Sequence, residues 1–192
     1  MQKVWAPRTA KVGAHTLTLR QAQAADIPTL TAWDKAEHVI SATTDDPDAE
    51  DAFEGIVWPD EIANASLVTF YLLALLDGRP IGAMQVIDPH AEPTHYWGEI
   101  EPNLRALDIW IGSLDDIGKG YGEAMMALAI DACFEEARVN AIVIDPLASN
   151  TRAHKFYQRL GFKPLTRQLF NDEDDCLVHR LDRADWRARL GS

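Results

Sequence analysis

The run Gly118-Lys119-Gly120-Tyr121-Gly122 stands directly before an apolar stretch that reads as a helix from about Tyr121 to Ala137. A helix N-terminus exposes unpaired N–H groups and the positive end of the helix dipole. Glycines there let the backbone close on an anion without Cβ interference. The turn lacks both the Walker spacing and the full GxGxxG spacing, so the residues alone leave a phosphate cradle and an ordinary turn open. Asp108 interrupts the apolar strand "RALDIWIG", where a carboxylate is costly unless it is paired or used. It either caps a nearby loop or holds a cationic amine, with or without acting as its general base. Full proton transfer from an alkylammonium near ~10.4 to a carboxylate near ~3.9 costs roughly 8 kcal/mol. A base at Asp108 therefore needs a raised pKa, an amine with a lowered one, or a water relay. Asp145 ends the strand "AIVIDP"; it either starts an Asp-Pro turn or faces the crevice at the strand ends where open α/β sheets bind ligands. Tyr157 shares one helical face with Ala153, Phe156 and Leu160, which packing alone explains, and Asn150 suits an N-cap.

The elements that must position these residues follow from period and punctuation. "HTLTLRQA" alternates as a first strand near Thr16 to Gln21, and Asp26 with Pro28 starts a helix running to about Glu37. The pattern is lost from Ser41 to Asp60, where "TTDDPDAED" reads as an acidic loop, with a short helix after Pro59. Two apolar runs around Asp77 and Gly78 form a β-hairpin. Pro89 to Pro102 is a loop in which Tyr96, Trp97, Glu99 and Glu101 either wall a ligand pocket or belong to a solvated loop with one buried Trp. Leu107 to Asp145 is a strand–turn–helix–strand crossover, followed by an amphipathic helix closed by Gly161. Final strands near Lys163 to Phe170 and Cys176 to Leu181 flank the acidic turn "NDEDD", whose Asp172 to Asp175 read as a wet turn able to lean over the same cleft. This order predicts a mixed α/β (α+β) sheet of about seven strands with helices on both faces. It predicts one domain over 1–192, with its core at about 16–181.

"IGKGYG", followed after one helix by "IDPLASNTRAHKFYQRLGF", resembles the Gcn5-related N-acetyltransferase (GNAT) superfamily. The resemblance implies that backbone amides of Gly118, Lys119, Gly120, Tyr121 and Gly122 hold the pyrophosphate of acetyl-coenzyme A. Asn150, Ala153, Tyr157, Gly161 and Phe162 match the family's second block. There, Asn150 contacts the cofactor arm and Tyr157 is the general acid for the departing thiolate. Backbone groups of Ile109, Trp110 and Ile111 would pair with the pantetheine arm as an added strand does, and an N–H there would polarise the thioester. The chain departs from the family at Ile117, where Arg or Gln is usual. Asp108 and the Asp145-Pro146 pair are similar to one branch, the aminoglycoside 6'-N-acetyltransferases, over Leu107 to Phe162. That likeness implies that Asp108 and Asp145 bind a polycationic acceptor, which Tyr96, Trp97 and Glu99 of the preceding loop would wall in, and that the amine attacks directly, with no metal.

Composition narrows the partners. With 192 residues, 47% of them hydrophobic, the chain can bury one sizeable core. A net charge of −12 argues against nucleic acid or an acidic membrane and suits a small cationic amine. Cys133 and Cys176 have no metal-ligand spacing and read as packed thiols, and His38, His90, His95, His154 and His179, five of the six histidines, show no metal or triad spacing. No signal-like or membrane-spanning run is visible. The expectation is a cytoplasmic monomer or homodimer. Acetylation of a polyamine, peptide N-terminus or protein lysine is the second enzymatic reading, and a non-catalytic acetyl-coenzyme A sensor the third.

Overall fold

The computed structural model describes residues 5–170 and 174–191. Eight strands form one sheet, one more than expected: β1 (Arg8–Val12), β2 (His15–Gln21), β3 (Thr69–Leu76), β4 (Arg79–Ile87), β5 (Leu104–Ile111), β6 (Ala141–Ile144), β7 (Lys163–Phe170) and β8 (Asp174–Asp182). Their order is β1-β2-β3-β4-β5-β6-β8-β7. The extra strand, β1, forms a hairpin with β2 and carries almost no fully buried side chain, so its apolar pattern is too weak to read. The helices are α1 (Ile27–Asp34), α2 (Glu37–Thr43), α3 (Trp58–Ala63), α4 (Tyr121–Glu135), α5 (Thr151–Arg159) and α6 (Arg183–Leu190). Helix α6 was also not expected. It is mostly charged and buries one side chain, Trp186, whose indole N–H donates to Asp131 at 2.7 Å, while Arg183 and Arg189 donate to carbonyls of neighbouring segments.

The first helix is shorter than its pattern suggests, and a second begins at Glu37 where loop was expected to follow. Asp26 precedes α1, but its side chain does not cap that helix. It accepts from Gln23 N at 2.8 Å and binds Arg20 at 2.7 and 2.8 Å. The segment between α2 and α3 is held by the buried Asp34, which accepts from Ala52 N, Phe53 N and Trp58 Nε1 at 3.1, 3.1 and 2.9 Å. Asn171, Asp172 and Glu173 of the expected acidic turn lie outside the described residues; Asp174 and Asp175 open β8.

Two faces of the sheet divide the core. Leu107 belongs with α4, α5 and α6 in the larger cluster, and Ile109 and Ile111 pack against it. Trp110 faces the other way, into a cluster of Leu30, Val39, Trp58, Tyr71 and Leu73 from α1, α2, α3 and β3. Period-2 alternation puts Asp108 on that second face. Among the sheet's strand pairs only β5–β6 is parallel, and its pairing stops at Ala106↔Val143 although β5 runs on to Ile111. The chain after β6 follows β8 instead, through Leu177 N to Pro146 O and Ala148 N to Asp175 O at 3.0 and 2.7 Å. The two strands therefore part at their C-terminal ends.

Gly112 ends β5 under the indole of Trp33: a Cβ there would lie 1.9 Å from the ring. Gly112→Ala should destabilise by about 1–3 kcal/mol, read as a fall in Tm by thermal denaturation. A Trp33→Ala background should remove most of that loss, and an equal loss in both backgrounds would contradict the close approach.

Candidate active site

The parting of β5 and β6 opens into a cavity of about 2000 Å³. Its floor is a polar row across four strands. Tyr71 pairs in register with Gln85, and Gln85 with Asp108. Asp145, one residue past the end of β6, lines the same cavity and acts electrostatically on Asp108. Gln85 Nε2 donates to Tyr71 Oη at 2.8 Å. Tyr96 Oη donates to Asp145 Oδ2 at 2.7 Å, its ring stacked on Phe170 at 4.5 Å and 11°. Asp108 makes no hydrogen bond to another described residue.

Both aspartates are half-buried: they lie deep in the protein yet open to the cavity. Burial is the first cause that raises the pKa of Asp108, and the neighbouring Asp145 is the second. Burial also raises Asp145, opposed by the hydrogen bond from Tyr96. Two carboxylates this close titrate as a pair that favours holding one proton. Tyr157, on α5, is buried at the same cavity. Its phenol is pushed up by burial, then by Asp108 and Asp145, so it stays protonated. Behind it, His179 is fully buried and hydrogen-bonded to His154 at 2.9 Å; burial and that neighbour hold it down at about 4.

The glycine turn sits at the mouth of α4. Gly118 and Gly120 have φ of 80° and 82°, and a Cβ added at either would meet nothing within 4 Å. The backbone there faces open space, as an anion cradle needs. Gly122 also lines the cavity, whereas Lys119 does not, and the ring of Tyr121 is buried under α4. Asn150 is the N-cap expected, accepting from Ala153 N at 3.0 Å. Arg152, Lys155 and Arg159 bring cations to this side, all from α5. On the edge of β5 that faced β6 lower down, Ile109, Trp110 and Ile111 have no strand partner, while their other edge pairs with β4.

The opposite wall is acidic. Asp46, Asp48, Glu50, Asp51 and Glu54 line it from the α2–α3 segment, with Glu61 from α3. Asp174 anchors that segment, accepting from Thr44 Oγ1 and Asp45 N at 2.8 and 3.0 Å. Tyr96 and the buried Trp97 line the cavity, but Glu99 does not. Glu99 points to solvent, and Glu101 is taken by Arg180 of β8. The loop acid that reaches the cavity is Glu92, which accepts from Tyr96 N and Thr94 N at 2.6 and 2.8 Å and so shapes the loop. Glu92 was not predicted. Tyr71 and Gln85 were missed as well, although a Gln inside "IGAMQVI" was their one visible signal. Among the described residues no group of three or more His, Cys, Asp or Glu could hold a metal, and no helix is long and apolar enough to cross a membrane.

The family described as an acetyltransferase (GNAT) domain matches residues 22–168, and the chain belongs to it. It is an acetyl-coenzyme A-dependent N-acetyltransferase. The aminoglycoside N(6')-acetyltransferase type 1 of Klebsiella pneumoniae is 27% identical over 152 residues, 77% of this chain and 74% of that protein. The kanamycin resistance protein of Rhizobium radiobacter is 30% identical over 73 residues, 38% of this chain and 68% of that one. Among solved structures, the aminoglycoside acetyltransferase AAC(6')-Ib bound to coenzyme A superposes with a TM-score of 0.76 at 23% identity, over 92% of this chain and 99% of that chain. A protein from Bacillus halodurans reaches 0.79 at 18% identity, over 97% and 95%. The expected fold is thereby confirmed, with the strand count corrected.

The electrostatics of Asp108 can be tested through stability. A carboxyl whose folded pKa lies above its unfolded value stabilises the fold at low pH and loses that contribution as pH rises to the folded pKa. Ionised Asp108 is thus a cost at alkaline pH. Asp108→Asn keeps the shape without the charge and should raise Tm at about pH 8 by about 2–4 °C, the shift that 1 kcal/mol produces in a domain of this size. The gain should vanish toward about pH 4. An unchanged or lower Tm at the higher pH would contradict a raised Asp108.

Proposed function

We propose that the enzyme transfers the acetyl group to a primary amine of an aminoglycoside-like polycation by direct attack, with no covalent enzyme intermediate. The observation that carries this reading is the acidic half of the cavity, which meets an unpaired, half-buried Asp108 at its floor. The Gly118–Gly122 amides hold the pyrophosphate, helped by Arg152 and Lys155 of α5, and the strand edge at Ile109 and Trp110 takes the pantetheine arm next to the Ile111 carbonyl, which His38 Nε2 meets at 2.9 Å. Asp145 and Tyr96 fix one ammonium, Trp97 packs beside the sugar, and the acids of the α2–α3 segment hold further amines.

Asp108 orients the reacting ammonium and takes its proton, and its raised pKa reduces the roughly six-unit gap between ordinary groups. The amine nitrogen then bonds to the thioester carbonyl carbon, the C–S bond breaks and its electron pair passes to sulfur. Tyr157 donates its proton to that sulfur, and the second proton the nitrogen loses on becoming an amide passes through solvent to restore the Tyr157 phenol. The two proton transfers assist each other. Neutralising Asp108 removes one of the charges that hold up the Tyr157 phenol, so the acid strengthens as the base is filled. A polyamine or lysine acceptor uses the same core but leaves the wide acidic wall partly unused.

Comparing kcat/KM for kanamycin with that for glucosamine, a monoamine, tests the reading. The polycation should be preferred by roughly tenfold or more, about 1.4 kcal/mol, and salt should narrow the gap. Asp108→Asn should lower kcat by about 10²–10⁴-fold, and Asp145→Asn should mainly raise KM for the polycation. No preference in the wild type, or a preference untouched by both variants, would favour a general amine acetyltransferase instead.

A further inference from the structure

Asp116 poses a problem for an anion cradle. It lines the cavity two residues before Gly118, in the 3-10 turn Leu114–Asp116 that links β5 to the glycines, and it is only 4% exposed. A bare carboxylate there would repel the pyrophosphate. Arg79, at the start of β4, meets it with both guanidinium nitrogens, donating to Oδ2 and Oδ1 at 2.8 and 2.9 Å. The pair is distant in sequence, and Ile117 brings no polar side chain to the turn. Arg79 does not line the cavity and touches no cavity-facing glycine. The proximity of Arg79 lowers the Asp116 pKa, with Lys119 adding a smaller pull, so the carboxylate is ionised and needs its counter-charge.

We infer that Arg79 is a positioning residue for the acetyl donor: acting through Asp116, it neutralises and fixes the carboxylate at the wall of the pyrophosphate cradle. The inference rests on the assignment of the Gly118–Gly122 turn to the pyrophosphate. It makes the two partners unequal. Removing Arg79 leaves a buried, unpaired negative charge beside an anion, whereas removing the Asp116 charge leaves an extra cation.

Calorimetric titration with coenzyme A reads the difference. Arg79→Gln should weaken Kd by roughly tenfold, and Asp116→Asn should bind as tightly as the wild type or tighter. The double variant Arg79→Gln/Asp116→Asn and the charge-keeping Arg79→Lys should both stay within about threefold of wild type. These two variants decide the matter if Arg79→Gln alone does not fold. KM for S-acetylpantetheine, which lacks the pyrophosphate, should be the same in all of them. Equal losses in both single variants would reduce the pair to a plain brace. So would an Arg79→Gln loss that persists with S-acetylpantetheine, or a double variant as weak as the worse single. Gly120→Val separates the two levels of the argument. If it abolishes binding while Arg79→Gln binds normally, only the Arg79 inference falls; if it binds normally itself, the pyrophosphate assignment and the inference fall together.

Discussion

Asp108 and Asp145 both face the cavity that opens where β5 and β6 stop pairing, and Asp145 makes Asp108 harder to ionise. That arrangement is expensive, because a half-buried carboxylate without a donor gives up hydration for nothing in the unliganded protein. The fold sustains it by locking everything around it. Gln85 is occupied by Tyr71, Asp145 is tied down by Tyr96, and Tyr96 is clamped between Phe170 and the Glu92 loop. Asp108 is the carboxylate there that is left without a hydrogen bond, and the indole N–H groups of Trp97 and Trp110 beside the cavity are likewise unpartnered. Stability is given up at the position where a cationic amine would restore it, which is the usual trade between a relaxed site and a reactive one.

The cavity also separates charge by element. Cations come from α5 and the positive end of the dipole from α4, while acids come from the α2–α3 segment, α3 and the start of β8. In the proposed reaction, an acyl donor with phosphates and an acceptor with amines would be drawn to different walls and meet over the Asp108–Tyr157 pair. Two acids stand on the donor side: Asp116 is matched by Arg79, and Glu123 in the first turn of α4 by Arg159. Net charge alone pointed to a cationic partner, but only the fold distributes the acids so that they do not repel the donor.

The parts of this account that were legible in the sequence are those that local spacing encodes. The glycine turn, the N-cap at Asn150, the helical face of Tyr157 and the interruption of an apolar strand by Asp108 each lie within one element and its flanks. The partners that complete them do not. Tyr96 reaches Asp145 across 49 positions and Arg79 reaches Asp116 across 37, and no periodicity marks such pairs. Glu99 looked as suitable as Glu92 because a loop's acids are interchangeable until its backbone turns, and the backbone turned on Glu92. The strand β1 and the helix α6 escaped notice for a related reason: each docks with so few buried side chains that the polar majority hides the pattern.

The measurement closest to the central claim is the titration of Asp108 itself, followed by ¹³C NMR of aspartate carboxyl carbons and assigned by the signal lost in Asp108→Asn. The account predicts a midpoint well above the ordinary aspartate value of ~3.9, moving downward when Asp145→Asn removes the neighbouring charge. A midpoint at the ordinary value, or one indifferent to Asp145→Asn, would show that the two carboxylates do not share a proton and would remove the base from the proposed reaction.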